Sequence, residues 1–351
     1  LTSDTLGSYS TAIGRNALYS QNFTSATASH NTALGYAAGE GITTGTNNTL
    51  LGSGAGDAIT TGGDNVSVGF SSLSSTTTAT NNVAVGTYAL NGNTTGGSNV
   101  SMGYNALGAN TTASNNTAIG TSALTLNTTG TNNVAVGMNA VDANTTGDQN
   151  TGIGQGALSQ NTTADDNTAV GFASLNGNTT GTFNTAVGSR SLYVNTTGSG
   201  NTSVGEDSLA ANTTANDNSA FGQNALKANT TGTQNVAVGA ASLDANTTAS
   251  EGTAVGWNAL SANTTGASNT AVGKAALGAN TTGAGNTAVG ANAGDSLTTG
   301  FSNVALGRLS LSAEDTGRKN VAVGFAALEA QNSDVDNFNT AIGFYAGAAV
   351  T

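Results

Sequence analysis

Side chains that could do chemistry are few in this sequence. It holds one histidine, His30, and no cysteine. A disulfide framework, a thiolate zinc site and a thiol nucleophile are therefore excluded. A Ser–His–Asp arrangement or a histidine metal centre would have to be built on His30. That residue stands in an Ala/Ser/Thr-rich stretch and reads as a surface histidine. Paired carboxylates, the equipment for cleaving glycosidic bonds, have two candidates, Asp165 with Asp166 and Glu206 with Asp207. Adjacent residues on a strand diverge, which argues against both. A calcium ladder needs an acid in every turn of a Gly-Gly-x-Gly-x-Asp pattern. The acids here are sporadic, which leaves Asp165-Asp166 and Asp315 as places for an isolated ion only. No catalytic residue, metal or cofactor is expected, and the chain reads as a non-enzyme.

The elements that position these residues are unusual in composition. The 351 residues include 50 Gly and no Pro, and 7% are charged, against about 25% charged and about 5% Pro in ordinary chains. Leu, Ile, Val and Phe together fall below about 20% of the chain, a level at which many chains cannot bury enough surface to fold. The net charge of −12 comes from 19 acids and 7 bases. An acidic balance without basic clusters argues against nucleic acid as a partner. No run of about 18 apolar residues occurs, so no membrane insertion is expected. With Leu1 first and no signal peptide in view, the sequence reads as a piece of something longer.

A repeat explains the composition. Glycines recur at a constant step of seventeen from Gly35 to Gly324, and Gly14 and Gly343 extend the series with steps of 21 and 19. Numbering each repeat from this glycine as position 0, the consensus is Asn-Thr-Ala-Val-Gly-x-x-Ala-Leu-x-Ala-Asn-Thr-Thr-Gly-x-x. Gly86 and Gly273 are typical position-0 residues, preceded by Val85 and Val272 and followed by Leu90 and Leu277 at +4 and Asn93 and Asn280 at +7. Position −1 is a large apolar residue in all twenty repeats, −3 is Thr or Val in nineteen, and −2 is Ala, Ser or Gly in nineteen. A β-branched alternating segment that ends at Gly predicts a short strand and a turn, with −3 and −1 on one face and −2 on the other. Gly, Asn and Thr are poor helix formers, and the apolar spacing does not follow 3.6. The expected fold is all-β: a parallel β-roll or β-solenoid of about twenty 17-residue coils. It forms a single repeat domain over 1–351, with regular coils over about 31–332 and irregular end coils at 1–30 and 333–351. At the strand spacing of about 4.8 Å this gives a rod roughly 95 Å long. Pro is absent because it would remove a ladder donor.

Compensation along the repeat marks the interior. Position +4 is Leu or Val in sixteen repeats and Gly at 39, 56, 294 and 347. In those four repeats +7 becomes Ile42, Ile59, Leu297 and Val350. Both positions are therefore expected to fill one interior volume. The twelve Asn from Asn93 to Asn280, if inward, must be bonded to each other or to turn backbone. Position +10 is Gly in twelve repeats but Ala at 79, 113, 164, 215 and 249. It is expected to need smallness rather than a left-handed backbone, the invariant position 0 being the better place for a special φ. Charges such as Arg15, Asp57, Arg190 and Lys274 fall at expected solvent-facing corners.

A core of one residue at −1 and one at +4 or +7 is thin for a coil of this length, and the persistently small −2 face suggests a second surface against it. Both features favour several chains packed side by side, three being the simplest closed choice. The pentad Asn-x-Ala-Val/Ile-Gly, as in Asn269 to Gly273 and on to Leu277, resembles the head repeat of YadA-type trimeric autotransporter adhesins and is similar to repeats in phage tail-fibre proteins. The resemblance covers nearly the whole chain. It implies a homotrimeric left-handed parallel β-roll that is extracellular, on a bacterial cell surface or a virion tail fibre, and attaches to a receptor such as a glycan. The chain departs from that family in its 17-residue repeat, where about fourteen is usual. It also lacks a coiled-coil stalk and a membrane anchor, so a head or shaft segment is expected.

Three surface features bear on attachment. The Asn-Thr-Thr triplets match glycosylation sequons, but an inward Asn could not accept a glycan. Thr-Thr at +8 and +9 in sixteen repeats raises ice binding as an alternative to adhesion, a purely structural tail-fibre shaft being the third. Adjacent threonines point opposite ways, so only one rank can face water. Position +1 carries Tyr36, Phe70, Tyr104, Phe172, Trp257, Phe325 and Phe344. These are candidate surface contacts that could stack on sugars or touch a partner, or side chains that plug gaps beside the turn.

Overall fold

A computed structural model describes residues 4–332 and 338–350. Its secondary structure consists of short β-strands, and the chain is an all-β parallel solenoid. It divides into two compact units, 1–180 and 181–351. The first unit stacks ten three-residue strands, from Thr11–Ile13 to Thr168–Val170, and the second ten more, from Thr185–Val187 to Thr340–Ile342. Within each unit successive strands pair in parallel at the repeat offset: Val83 lies beside Val100, Ala84 beside Ser101 and Val85 beside Met102. The four extra residues of the first step accommodate a small additional ladder, Gly7–Ser8 beside Thr27–Ala28. In the end coil expected over 333–351, residues 333–337 and 351 lie outside the described residues, and Thr340–Ile342 pairs with Val321–Val323 at an offset of 19.

Only three residues in seventeen are extended, yet the whole coil is hydrogen-bonded to its neighbours. Val83 N donates to Asn99 O at 2.8 Å and Gly86 N to Val68 O at 2.7 Å. Beyond the strand, Leu90 N donates to Ala106 O and Thr94 N to Thr111 O, each one coil on. A proline at any of these positions would delete a ladder bond. The chain turns by placing residues in the left-handed region at −5, 0, +2 and +4, as at Asn81 (φ 62°), Gly86 (136°), Tyr88 (58°) and Leu90 (53°). Bulky residues there cost about 1–3 kcal/mol each unless their surroundings over-determine them. Leu90 is fully buried and bonded through its N–H, so burial and ladder hold it in place.

Position 0 requires glycine twice over. A Cβ on Gly86 would lie 2.5 Å from the carbonyl oxygen of Gly103, and one on Gly273 the same distance from that of Gly290. Position +10 has ordinary φ, as expected; there the constraint is space, because the chain passes close against the next coil.

The interior is narrower than the sequence reading assumed, and its lining differs. The residues at −2, expected to face another chain, point into their own coil: Ala84, Ala118 and Ala271 are 0% exposed. Those at −1, expected to be core, point out: Val85 and Val272 are partly exposed and Met102 is 41% exposed. Smallness at −2 thus has an internal cause, since Ala or Ser at −2 and +3 is what the cross-section admits beside one Leu. The exceptions show the same volume rule. Leu50 at −2 lies where +4 is glycine: a Cβ on Gly39 would stand 2.6 Å from its Cδ1, and one on Gly56 2.9 Å from its Cδ2. A Cβ on Gly294 would meet Leu297 Cδ1 at 3.0 Å. Positions +4 and +7 therefore share one space, as the compensation implied.

Half of this core is polar. Two asparagine ladders run through each unit, at −4 and +7. Asn99 N donates to Asn82 Oδ1 at 3.0 Å, and Asn110 Nδ2 donates to Asn93 Oδ1 at 2.9 Å. Both ladders converge on the inward carbonyl at +10: Gly96 O accepts from Asn82 Nδ2 at 3.0 Å and from Asn93 Nδ2 at 2.9 Å. The same fork recurs at Gly198 with Asn184 and Asn195. A side chain at +10 would crowd Asn93 Oδ1 and the carbonyl of Ala113, and nothing larger than Ala stands there from Gly45 to Gly317. The Asn280 Oδ1 has no partner, because the next +7 residue is Leu297.

Candidate functional site

The most extensive feature on the surface is the outward face of the strand ladder. In-register parallel pairing places every −1 residue beside its equivalents one coil away. The result in each unit is a continuous rank of Val, Ile, Leu, Met or Phe, and none of the twenty side chains is buried. Ile13, Leu51 and Met102 in the first unit, and Phe221, Val238 and Val289 in the second, are about two-fifths exposed or more. The parallel rank at −3 adds Val66, Val83, Val100 and Val134, with Val236, Val304 and Val321 in the second unit, among threonines. The largest apolar patch on an ordinary monomer covers about 300–600 Å², and larger ones mark interaction sites. In each unit ten adjacent coils contribute a large apolar residue to one strip.

The seven +1 aromatics stand beside this face, most of them half-exposed. Tyr36 and Phe172 are each 55% exposed. Phe70 and Tyr104 are joined by Tyr88, whose ring packs edge-on to both, with centroids at 5.6 and 6.2 Å. Phe325 stacks on Phe344 at 5.3 Å, and Tyr345 packs edge-on to both. Trp257 lies under the Lys274 ammonium at 5.4 Å, and Phe325 under the Arg308 guanidinium at 5.7 Å. Tyr88 and Tyr345, at +2, were missed by reading the +1 column alone; the signal was a ring one or two residues from another a repeat away.

The other candidates separate. Asp207 accepts from Arg190 and Lys227, whereas Glu206 accepts from Gln223 Nε2. Asp165 accepts from Asp148 N at 2.7 Å, and Asp166 takes left-handed backbone beside it. His30 is exposed and stacks on Tyr9 at 5.2 Å. Asp315 carries a buried Oδ1 without a partner. Among the described residues no group of three His, Cys, Asp or Glu side chains could hold a metal ion. The sequon asparagines Asn93 to Asn280 are at most 1% exposed, their amides committed to the ladder. At +8 and +9 the threonines divide: Thr94 Oγ1 donates to Thr111 O at 3.0 Å, while Thr95 is exposed.

Three acids at +5, Asp57, Asp142 and Asp244, each keep a buried oxygen without a partner. Burial pushes all three carboxyls above their ordinary value; bonds from their own and the following backbone N–H only partly oppose it. No family model and no curated protein sequence matches the chain significantly.

Proposed function

We propose that the chain is a non-enzymatic fibre segment that assembles as a homotrimer through its strand face and attaches, outside the cell, to a glycan or other receptor surface. The outward apolar ladder is the observation that carries this reading. A rank of large apolar side chains repeated at every coil is best covered by another surface with the same period, and a second copy of the chain has that period. Closed rotation of three such copies would bury the strip without leaving an open edge. The polar corners and half-exposed aromatics then remain outside and repeat along the assembly, so weak contacts add through multivalency. Location on a bacterial surface or a virion tail fibre belongs to the same proposal and rests on the pentad's resemblance to YadA-type heads.

Attachment is tested by passing the labelled full chain over arrays of glycans and matrix proteins. Saturable signal on at least one class is expected; silence on every surface contradicts attachment and favours an inert shaft. Ice binding has less support, because the +8 hydroxyls are bonded to the neighbouring coil and only the +9 rank faces water.

A further inference from the structure

The repeat supplies its own control for what is unusual on this surface. Each column shows what twenty coils place at one point in space, and one spot in the second unit departs from three columns at once. Arg190 is the only base at +2, Asp207 the only acid at +2, and Lys227 the only base at +5. They stand in three successive coils and meet. Arg190 Nη2 lies 2.9 Å from both oxygens of Asp207, and Lys227 Nζ lies 3.2 Å from Oδ2. Two of the seven bases in a chain of charge −12 converge on one carboxylate, and Asp244 stands beside Lys227 as a second acid. Stability alone does not account for the cluster: Arg190 and Lys227 are about half exposed, and such pairs contribute about 0–1 kcal/mol.

The cluster lines a depression of about 240 Å³ whose remaining walls are Tyr193 and Ala210. Ala210 and Lys227 are shared with an adjoining, mostly apolar depression of about 440 Å³ that Val194, Ala211, Ala228 and Asp244 complete. Tyr193 is one of two aromatics in the +5 column and is 38% exposed. Only Nη2 of Arg190 engages Asp207, so its other nitrogens keep their donors.

We propose that this groove binds a carboxylated sugar residue, of the uronic acid class, within the attachment reading given above and resting on it. Each feature has a use for such a ligand. Arg190 and Lys227 offer charge-assisted donors to the sugar carboxylate. Asp207, buried beneath them, holds the two bases in place, and Tyr193 with Ala210 covers the C–H face of the ring. The apolar depression beyond Lys227 receives the next residue of the saccharide. A simple inorganic anion would use only the two bases and leave the aromatic and apolar walls unused.

Calorimetric titration of the full chain with a uronic acid hexasaccharide tests the proposal, its carboxyl-reduced counterpart being the control. Saturable binding is expected, at least tenfold weaker for the reduced oligosaccharide. Lys227→Ala and Arg190→Ala should each weaken it at least tenfold while the melting temperature stays within a few degrees, and Lys274→Ala, a base on another corner, should leave it unchanged. Absent binding, equal binding of the reduced form, indifference to Lys227→Ala, an equal loss in Lys274→Ala or equal competition by inorganic phosphate would each overturn the site. The attachment reading fails separately: hexasaccharide binding intact in solution with silence on every array surface contradicts attachment and leaves the groove standing.

Discussion

Gly86 concentrates the demands that a thin coil makes on single residues. Its φ of 136° is closed to side chains, and the carbonyl of Gly103 occupies the place of a Cβ. Gly86→Ala is expected to cost about 3 kcal/mol, from backbone strain together with displaced ladder bonds. The reverse change at +10, Ala113→Gly, should cost well under half of that, since twelve coils already carry Gly at this position of ordinary φ. Urea titrations of the two variants check the ordering. The acids at +5 make a second case. Burial raises the carboxyl of Asp142 in the fold, so the folded state binds its proton more tightly than the unfolded chain does. Stability contributed by protonation therefore grows as pH falls through the folded pKa and is complete below the ordinary value of 3.8. Asp57 and Asp244 act in the same direction, and relief of the −12 net charge adds to it. Thermal melting should move upward as pH falls from 7 toward the ordinary value of 3.8. Asp142→Asn should raise the midpoint at pH 7 and flatten the pH dependence; a midpoint that falls with acid contradicts this account.

At the scale of the coil, polar and apolar columns are coupled, and the coupling is measurable. Asn127 Nδ2 donates to Asn110 Oδ1 at 3.0 Å and to Gly130 O at 2.9 Å, and its own Oδ1 accepts from Asn144 Nδ2 at 2.9 Å. Asn127→Ala leaves Asn110 Oδ1 buried without its donor, and a loss of about 2–4 kcal/mol is expected in chemical denaturation. Leu277→Gly alone should cost about 3–4 kcal/mol by emptying the core. Combined with Asn280→Leu it reproduces the Gly294/Leu297 arrangement one coil on, so the double variant should cost less than the sum of the singles by at least about 1 kcal/mol. Strict additivity would show that +4 and +7 do not share a volume. These columns were legible in the sequence because the substitutions compensate: Gly39 with Ile42 and Gly56 with Ile59 identify an interior without any coordinates. The inward Asn at +7 was legible as a bonding requirement. The second ladder at −4 was not, since an Asn before a strand reads equally well as a turn residue, and only the fork at the +10 carbonyl reveals its role. Orientation of the strand was lost for a physical reason. Alternation fixes which residues share a face but not which face is inside, and the larger residue at −1 drew the core to the wrong side. The interior of a coil closed by four left-handed turns is too narrow for Val at −2, and that dimension is a property of the turns.

Over the whole molecule, the reversal changes what the apolar content is for. The few large residues are not all spent on the core: Leu at +4 fills it, while the −1 rank lies on the surface, where water contact is unfavourable by about 25 cal/mol per Å². The deletion of that rank in part should therefore act on association rather than folding. Serine at Val238, Val255 and Val289 together is expected to preserve the β spectrum while weakening self-association. The most direct measurement is the mass of the folded, unmodified chain in solution by multi-angle light scattering. A mass of about 102 kDa, three times the 33.9 kDa chain, is the predicted result; a folded particle that stays at 33.9 kDa across the accessible concentration range would contradict it.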